Sequence, residues 1–336
     1  MELALKSKQE TLLAKGAWRL NDISPYYETK LGAAYLGDTL QLIKLIPDNS
    51  VNLIVTSPPF ALHRKKEYGN VAPEEYVPWF SPFADEYRRV LSDDGSLVIH
   101  IGGTWKEGEP SKSLYPYELL LSLCGEKGFR LAQDFYWHNP AKLPAPAEWV
   151  NVRRIRVKDT VEFIWWLSKD NFPKADNRKI KKPYSESMRT LLKEGYKAKL
   201  RPSGHNISTK FSRDLGGAIP PNIFSITYGD DDEGSNLLTI SNTDSNGRYL
   251  KLCREFKVKP HPARYPDAIP DFFIRFLTDE GDRVLDPFGG SNVTGAVSEK
   301  LSRKWMCFEI REDYLRGSTF RFGDGEIHSK SRTTPD

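Results

Sequence analysis

The chain has 336 residues, 39% of them hydrophobic, and 49 Lys and Arg against 45 Asp and Glu give a net charge of +4. That is length and apolar content enough for one large cored domain or two modest ones, with too mild a charge to select nucleic acid as a partner by itself. No run approaches the roughly 18 to 20 apolar residues of a membrane helix. The N-terminus, with Lys6, Lys8, Glu10 and Lys15 among short apolar runs, has no export signal, so a cytoplasmic protein is expected. Cys124, Cys253 and Cys307 are odd in number and widely spaced, which suits core packing and neither a disulfide framework nor a zinc site.

Residues 1–24 are weakly patterned and read as an N-terminal extension. After Gly37-Asp38, apolar residues at 40, 42, 43, 45 and 46 predict a short helix over Thr39–Leu45, ended by Pro47. Val51–Val55 is β-branched enough for a buried strand, stopped by Ser57-Pro58-Pro59. Residues 75–91 carry aromatics and aliphatics at near-helical spacing, Asp93-Asp94-Gly95 reads as a turn, and Ser96–Ile101 is a strand running into Gly102-Gly103. A helix over Leu119–Cys124 and strands over Phe129–Trp137 and Val161–Leu167 follow.

From Lys169 to about Lys259 the chain becomes polar, basic and rich in turns, as an inserted loop-rich module would be. Between Lys174 and Arg201 ten Lys or Arg face three acids, which fits either a solvated helical face or a surface for phosphates. Regular pattern then resumes, with a helix over Asp271–Leu277, a strand over Arg283–Leu285, a helix over Thr294–Leu301 and a strand over Lys304–Phe308 that closes on Glu309. Strands alternating with helices predict an α/β fold with a mostly parallel, doubly wound sheet. Ligands of such sheets sit at the carboxyl ends of the strands.

Two loops fall at such ends. Asp286-Pro287-Phe288-Gly289-Gly290-Ser291 follows a strand and opens a helix, so its glycines let backbone approach a ligand closely. It lacks the Gly-Lys-Ser/Thr of a phosphate loop and the three spaced glycines of a dinucleotide fingerprint. An acid ahead of the turn would repel pyrophosphate but suits an ammonium, and Glu309, 23 residues on, is placed to accept the hydroxyls of a ribose. An adenosyl amino acid would satisfy both. Ser57-Pro58-Pro59-Phe60 is the other loop: two prolines stiffen it, Ser57 Oγ and the Pro58 carbonyl are acceptors for an amine, and Phe60 offers a face for a base. Taken alone, it is equally a strand-ending turn with a core phenylalanine.

With both loops in view, the chain resembles the amino-methyltransferases of DNA in their β-type order, catalytic loop first and cofactor loop last. Runs such as Thr56–Gly69, Phe135–Pro146, Glu148–Asp159, Gly217–Asn222 and His261–Arg264 are similar to those of the PvuII-type cytosine-N4 methyltransferases, over roughly residues 25–320. The resemblance implies the class I S-adenosylmethionine-dependent fold, with an antiparallel edge hairpin on the parallel sheet and a DNA-recognition insert. It divides the chain into a catalytic half at 25–168, a target-recognition insert at 169–259, a cofactor-binding half at 260–320 and a tail at 321–336. It implies S-adenosylmethionine as cofactor without a metal, and double-stranded DNA as partner. Ser57, Pro58, Pro59 and Phe60 become catalytic. Asp38, His261, Pro262, Asp286, Phe288, Gly289, Gly290, Ser291 and Glu309 become cofactor-binding, with Asp38 near the adenine and His261-Pro262 on the methionine side. Arg201, Ser203, His205 and Lys210 become candidates for DNA contact, since Arg can take guanine bidentately. Arg153, Arg154, Arg156 and Lys158 are expected in backbone contacts or ion pairs.

Serine at the first catalytic position points to cytosine N4. Adenine N6 remains an alternative, and a non-catalytic DNA-binding protein, or an enzyme acting on RNA or a small molecule, are others. A cytosine-C5 enzyme would need a thiolate, and no cysteine here sits in a suitable motif. Monomer and homodimer are both open.

Overall fold

The computed structural model describes residues 16–62, 69–139, 142–195, 213–227, 238–241, 244–323, 327 and 329–330. Its strands in chain order are β1 (Tyr27–Glu28), β2 (Gly32–Leu36), β3 (Val51–Thr56), β4 (Leu91–Ile101), β5 (Arg130–His138) and β6 (Val161–Ser168), then β7 (Ile223–Thr227), β8 (Leu238–Ser241), β9 (Arg283–Asp286), β10 (Lys304–Glu309) and β11 (Ser329–Lys330). They form one sheet in the order β11-β1-β2-β10-β9-β3-β4-β6-β5-β7-β8. The run β2-β10-β9-β3-β4 is parallel throughout, so Leu36, Glu309, Asp286, Thr56 and Ile101 all end at one edge. β6 runs antiparallel between β4 and β5, pairing His100 with Ile164 and Ile101 with Phe163, so its start at Val161-Glu162 lies at that same edge. The β5–β6 hairpin flanks the parallel strands as expected, and β7 and β8 from the middle segment extend it outward.

Both faces of the central strands are buried, and the side-chain period of two divides them. Ile54 of β3, Leu97, Ile99 and Ile101 of β4, and Trp165 and Leu167 of β6 pack on one side, under the helices Tyr76–Val90 and Tyr115–Gly125. Leu53 and Val55, Val98, and Ile164 and Trp166 face the other side, under the helices Ala268–Leu277 and Val293–Lys300. In Tyr76–Val90 the buried residues Tyr76, Phe80, Phe83, Ala84, Tyr87 and Val90 recur at three and four, which puts its aromatics on one stripe. Cys307 is buried in a smaller cluster with Tyr27 and Trp305, Cys253 is also buried, and Cys124 packs on the first core, all three as free thiols.

Several local expectations shift. The predicted turn Asp93-Asp94-Gly95 is absorbed into β4, whose register with β3 slips between the pairs Val51/Leu91 and Leu53/Ser96. The helix after Asp38 is α only over Thr39–Leu42 and continues as a 3-10 turn to Leu45. The middle segment also carries helices at Glu186–Glu194 and Asp244–Glu255 that its polarity hid. Part of its basic run is structural: Lys174 pairs with Asp279 and Asp282, Lys179 with Asp279, and Arg178 with Asp176. Among the described residues no helix is long and apolar enough to cross a membrane.

β2 and β10 meet closely at Gly32, where a Cβ would lie 2.3 Å from the Trp305 ring. Gly32→Ala is therefore expected to destabilise the protein by about 1–3 kcal/mol through overpacking. Urea unfolding of the two proteins would check this, and equal midpoints would contradict it.

Candidate active site

The edge where the parallel strands end opens into a cavity of ≈ 600 Å³, within the roughly 300–1,000 Å³ usual for small-molecule sites. Ser57, Pro58, Pro59 and Phe60 line it, together with Asp38, His261, Pro262, Phe288, Gly289, Gly290, Ser291 and Glu309. The two loops, 230 residues apart in sequence, thus face one space. Arg201, Ser203, His205 and Lys210 lie outside the described residues.

Asp286 is placed differently from the expectation. It is 2% exposed and does not line the cavity. Its Oδ1 accepts from Thr56 Oγ1 at 2.9 Å and from the Phe288 N–H at 3.2 Å, and its Oδ2 accepts from Thr294 Oγ1 at 2.8 Å. Burial pushes its carboxyl up to about 6 although these donors pull it down. The carboxylate expected near an ammonium braces the loop from beneath, tying it to the residue before Ser57.

Glu309 does reach the cavity. Its Oε2 accepts from the Gly290 N–H at 2.8 Å and its Oε1 from the Arg311 N–H at 2.9 Å. Burial raises it to about 7 against those two bonds. Gly290 needs its glycine: its φ is +53°, and a Cβ there would lie 3.2 Å from the His261 ring. Burial lowers His261 to about 4, so it is neutral at pH 7. Its Nδ1–H donates to the Ala263 carbonyl, which leaves Nε2 an acceptor. Asn292, at φ +52°, caps the helix that follows by accepting from the Gly295 N–H. Asp38 caps the helix on the far side of the cavity through the Gln41 N–H.

The catalytic loop is also held from below. Tyr76 donates to the Pro59 carbonyl at 3.0 Å. At Gly102 a Cβ would lie 2.6 Å from Phe60 Cε2, so the glycine after β4 makes the seat for that ring. Ser57 Oγ lies 3.0 Å from His100 Nδ1, and His100 Nε2 lies 2.8 Å from Glu162 Oε2.

Arg264, within the His261–Arg264 run noted in the sequence, lines the cavity, and so do His100, Glu162, Lys142, Trp79, Phe83 and Ile310, which the sequence did not single out. A signal existed for two of them, since His100 and Glu162 interrupt otherwise apolar strands at the end where ligands bind. Ile310, 62% exposed beside Glu309, likewise stands out as an unburied aliphatic at a strand end. Arg153 pairs with Glu148, and Arg156 donates to the Pro110 carbonyl.

The lining fits S-adenosylmethionine. Glu309 offers a buried acceptor suited to hydroxyls, Gly289-Gly290 leaves the loop open to close approach, and Trp79, Phe83 and Phe288 make an aromatic wall. Arg264 Nε is buried beside the cavity with no acceptor, which suits the carboxylate of an amino-acid cofactor.

Fold and cavity together define an α/β enzyme of the S-adenosylmethionine-dependent methyltransferase class. The model of the DNA methylase family matches residues 51–320, and the chain belongs to that family; its partner is DNA. The chain is 49% identical over 312 residues to the Type II methyltransferase M.PvuII of Proteus hauseri, covering 92% of this chain and 89% of that one. A solved structure titled PvuII DNA methyltransferase (cytosine-N4-specific) superposes with a TM-score of 0.70 at 43% identity, over 91% of this chain and 92% of the other. The Type II methyltransferase M.BamHI of Bacillus amyloliquefaciens is 28% identical over 87% of this chain, which spans 57% of its length.

Linkage makes the acid at the strand end testable. A carboxyl raised on folding favours the folded state at low pH and loses that advantage as pH rises between its unfolded and folded values. Glu309, raised from 4.5 to about 7, therefore costs the cofactor-free protein stability across that window. Glu309→Gln is expected to raise the melting temperature at pH 8 without cofactor, to raise it less at pH 5, and to shrink the rise that S-adenosylmethionine produces. Thermal unfolding with and without cofactor at the two pH values reads all three, and a variant less stable at both would contradict the assignment.

Proposed function

We propose that the chain is a site-specific DNA methyltransferase that moves a methyl group from S-adenosylmethionine to the exocyclic N4 amine of a cytosine in duplex DNA, as the modification half of a Type II restriction system. The observation that carries the proposal is that Ser57-Pro58-Pro59-Phe60 and Phe288–Ser291 with Glu309 open on one cavity, beside a relative of 49% identity whose solved counterpart is titled cytosine-N4-specific.

When bound, S-adenosylmethionine supplies an electrophilic methyl group. Arg264 would hold its carboxylate, Glu309 its ribose hydroxyls, and Ile310 and Phe288 its apolar surface. Asp286 serves this site by holding the loop, through Thr56, Thr294 and the Phe288 amide. The amine of cytosine is a poor nucleophile because its lone pair is delocalised into the ring. Ser57 Oγ and the Pro58 carbonyl accept its two N–H bonds, favour a pyramidal nitrogen and take up the positive charge that develops there. Phe60 stacks on the base, which must leave the duplex to enter the cavity, at a cost of a few kcal/mol.

In this scheme residues 25–168 carry the catalytic loop and 260–320 the cofactor loop, with 169–259 reading the DNA. Arg201, Ser203, His205 and Lys210 are proposed to contact it, and their contacts with phosphates would make binding salt-dependent.

Mass analysis of nucleosides from duplex DNA treated with the protein and S-adenosylmethionine is expected to show N4-methylcytosine; N6-methyladenine as the sole product would overturn the choice of base. Ser57→Ala should slow transfer by about 100-fold or more while cofactor affinity stays within about threefold. Gly102→Ala, which displaces Phe60, should slow transfer by at least about tenfold with cofactor affinity again unchanged. Single-turnover rates and cofactor titration separate the two quantities.

A further inference from the structure

Behind Ser57 the cavity floor carries a line of polar side chains drawn from four separate parts of the chain. Ser57 Oγ is 3.0 Å from His100 Nδ1. His100 Nε2 is 2.8 Å from Glu162 Oε2, and Glu162 Oε1 is 2.8 Å from Lys142 Nζ. The imidazole is 6% exposed and gripped by rings, with centroids of Phe60 at 5.2 Å, Trp137 at 5.3 Å and Tyr265 at 6.1 Å. Such packing leaves it one orientation.

The protonation pattern follows from the partners. Burial alone would raise Glu162, but its hydrogen bonds with His100 and Lys142 and the charge of Lys142 outweigh it and hold the carboxyl below the usual carboxylate range. Glu162 is thus ionised throughout the working pH range and can only accept, so His100 Nε2 carries a hydrogen and donates it. In the neutral ring Nδ1 is then an acceptor, and the Ser57 hydroxyl donates to it. Both lone pairs of Ser57 Oγ are left for the substrate amine.

Transfer of a methyl group to the amine leaves a cationic nitrogen that must shed a proton. Carbonyls can hold that proton's hydrogen bond but cannot take the proton, and a serine hydroxyl alone is far too weak a base near neutral pH. We propose that His100, positioned by Glu162 and Lys142, receives through Ser57 the proton that the cytosine amine loses, making a Ser57–His100–Glu162 relay part of the reaction. The proposal rests on the cytosine-N4 assignment above.

In bond terms, the nitrogen–methyl bond forms as the sulfur–methyl bond breaks. The amine N–H then breaks as a new Oγ–H forms on Ser57, and the original Oγ–H breaks as Nδ1–H forms on His100. Ser57 ends as it began, and His100 ends as an imidazolium hydrogen-bonded to a carboxylate. The buried anion is what makes that cation tolerable in a dry site. Lys142 shares the same carboxylate, which tempers the anion in the resting state. The other titratable groups around the pair are Tyr265 and Tyr115, both pushed up by burial and so neutral, while the facing Phe60 and Trp137 carry no charge. His100 and Glu162 act through Ser57 and are positioning residues, whereas Ser57 itself touches the reacting amine.

The test is single-turnover methylation between pH 5 and 9, at saturating S-adenosylmethionine and saturating duplex, so that titration of Asp286 and Glu309 in cofactor binding does not enter. The wild-type rate is expected to fall on the acid side. His100→Asn keeps an acceptor for the Ser57 hydroxyl but no base. It should slow transfer by about 100-fold and flatten the acid limb, with duplex and cofactor dissociation constants unchanged within about threefold. Glu162→Gln, which keeps the ring but removes the anion, should slow transfer by at least about tenfold with the same unchanged affinities. A rate within threefold of wild type and a preserved acid limb in His100→Asn would overturn the relay. Should that variant fail to fold, a Glu162→Gln protein of wild-type melting temperature, rate and profile would overturn it equally. The identity of the methylated nucleoside, read in the same samples, reports separately on the cytosine assignment.

Discussion

The contact on which both loops depend is the hydrogen bond from Thr56 to Asp286, 2.9 Å long and buried between neighbouring parallel strands. Thr56 is the last residue of β3 and Ser57 the first of the proposed catalytic loop; Asp286 is the last residue of β9 and opens the proposed cofactor loop. One carboxylate therefore sets the position of an amine acceptor relative to a cofactor cradle. Its remaining donors, the Phe288 amide and Thr294 on the next helix, fix the shape of the cradle itself. In-line transfer tolerates little misplacement of the reacting atoms.

That arrangement has a thermodynamic consequence. Asp286 and Glu309 are both raised by burial, so each disfavours the empty folded protein at neutral pH. Glu309 would recover its cost on accepting the ribose hydroxyls proposed for it. Asp286 offsets part of its cost through four donors already present, from Thr56, Phe288, Thr294 and Tyr265, and sits beneath the cavity wall rather than in it. The same logic extends to Glu162, where hydrogen bonds with His100 and Lys142 and the Lys142 charge outweigh burial and a charged carboxylate is kept in a dry place.

Much of this was legible in the sequence. The β-branched run Val51–Val55 and its proline stop, the glycine loop after Arg283–Leu285, and Glu309 at the end of the next strand located three strand ends, and parallel topology brings such ends together. What stayed hidden depended on long-range register or on side-chain direction. His100 and Glu162 meet only because β4 and β6 pair antiparallel with His100 opposite Ile164, a fact no local pattern contains. Asp286 was expected to face an ammonium, whereas its carboxylate turns to Thr56, Thr294 and the Phe288 amide, because a motif reports proximity and not which way a carboxylate points. The basic run in the middle segment fitted either a solvated helical face or a surface for phosphates, yet Lys174 and Lys179 turn back to Asp279 and Asp282. β7 and β8 escaped notice because strands that extend a sheet at its edge, amid polar turns, need not show an apolar period.

A crystal structure of the protein with a non-transferable analogue of S-adenosylmethionine and a duplex bearing its target tests the central claim most directly. The account predicts a cytosine rotated out of the helix, its ring against Phe60 and its amine within hydrogen-bond distance of both Ser57 Oγ and the Pro58 carbonyl. A target base still stacked in the duplex, or one whose amine lies away from Ser57, would contradict it.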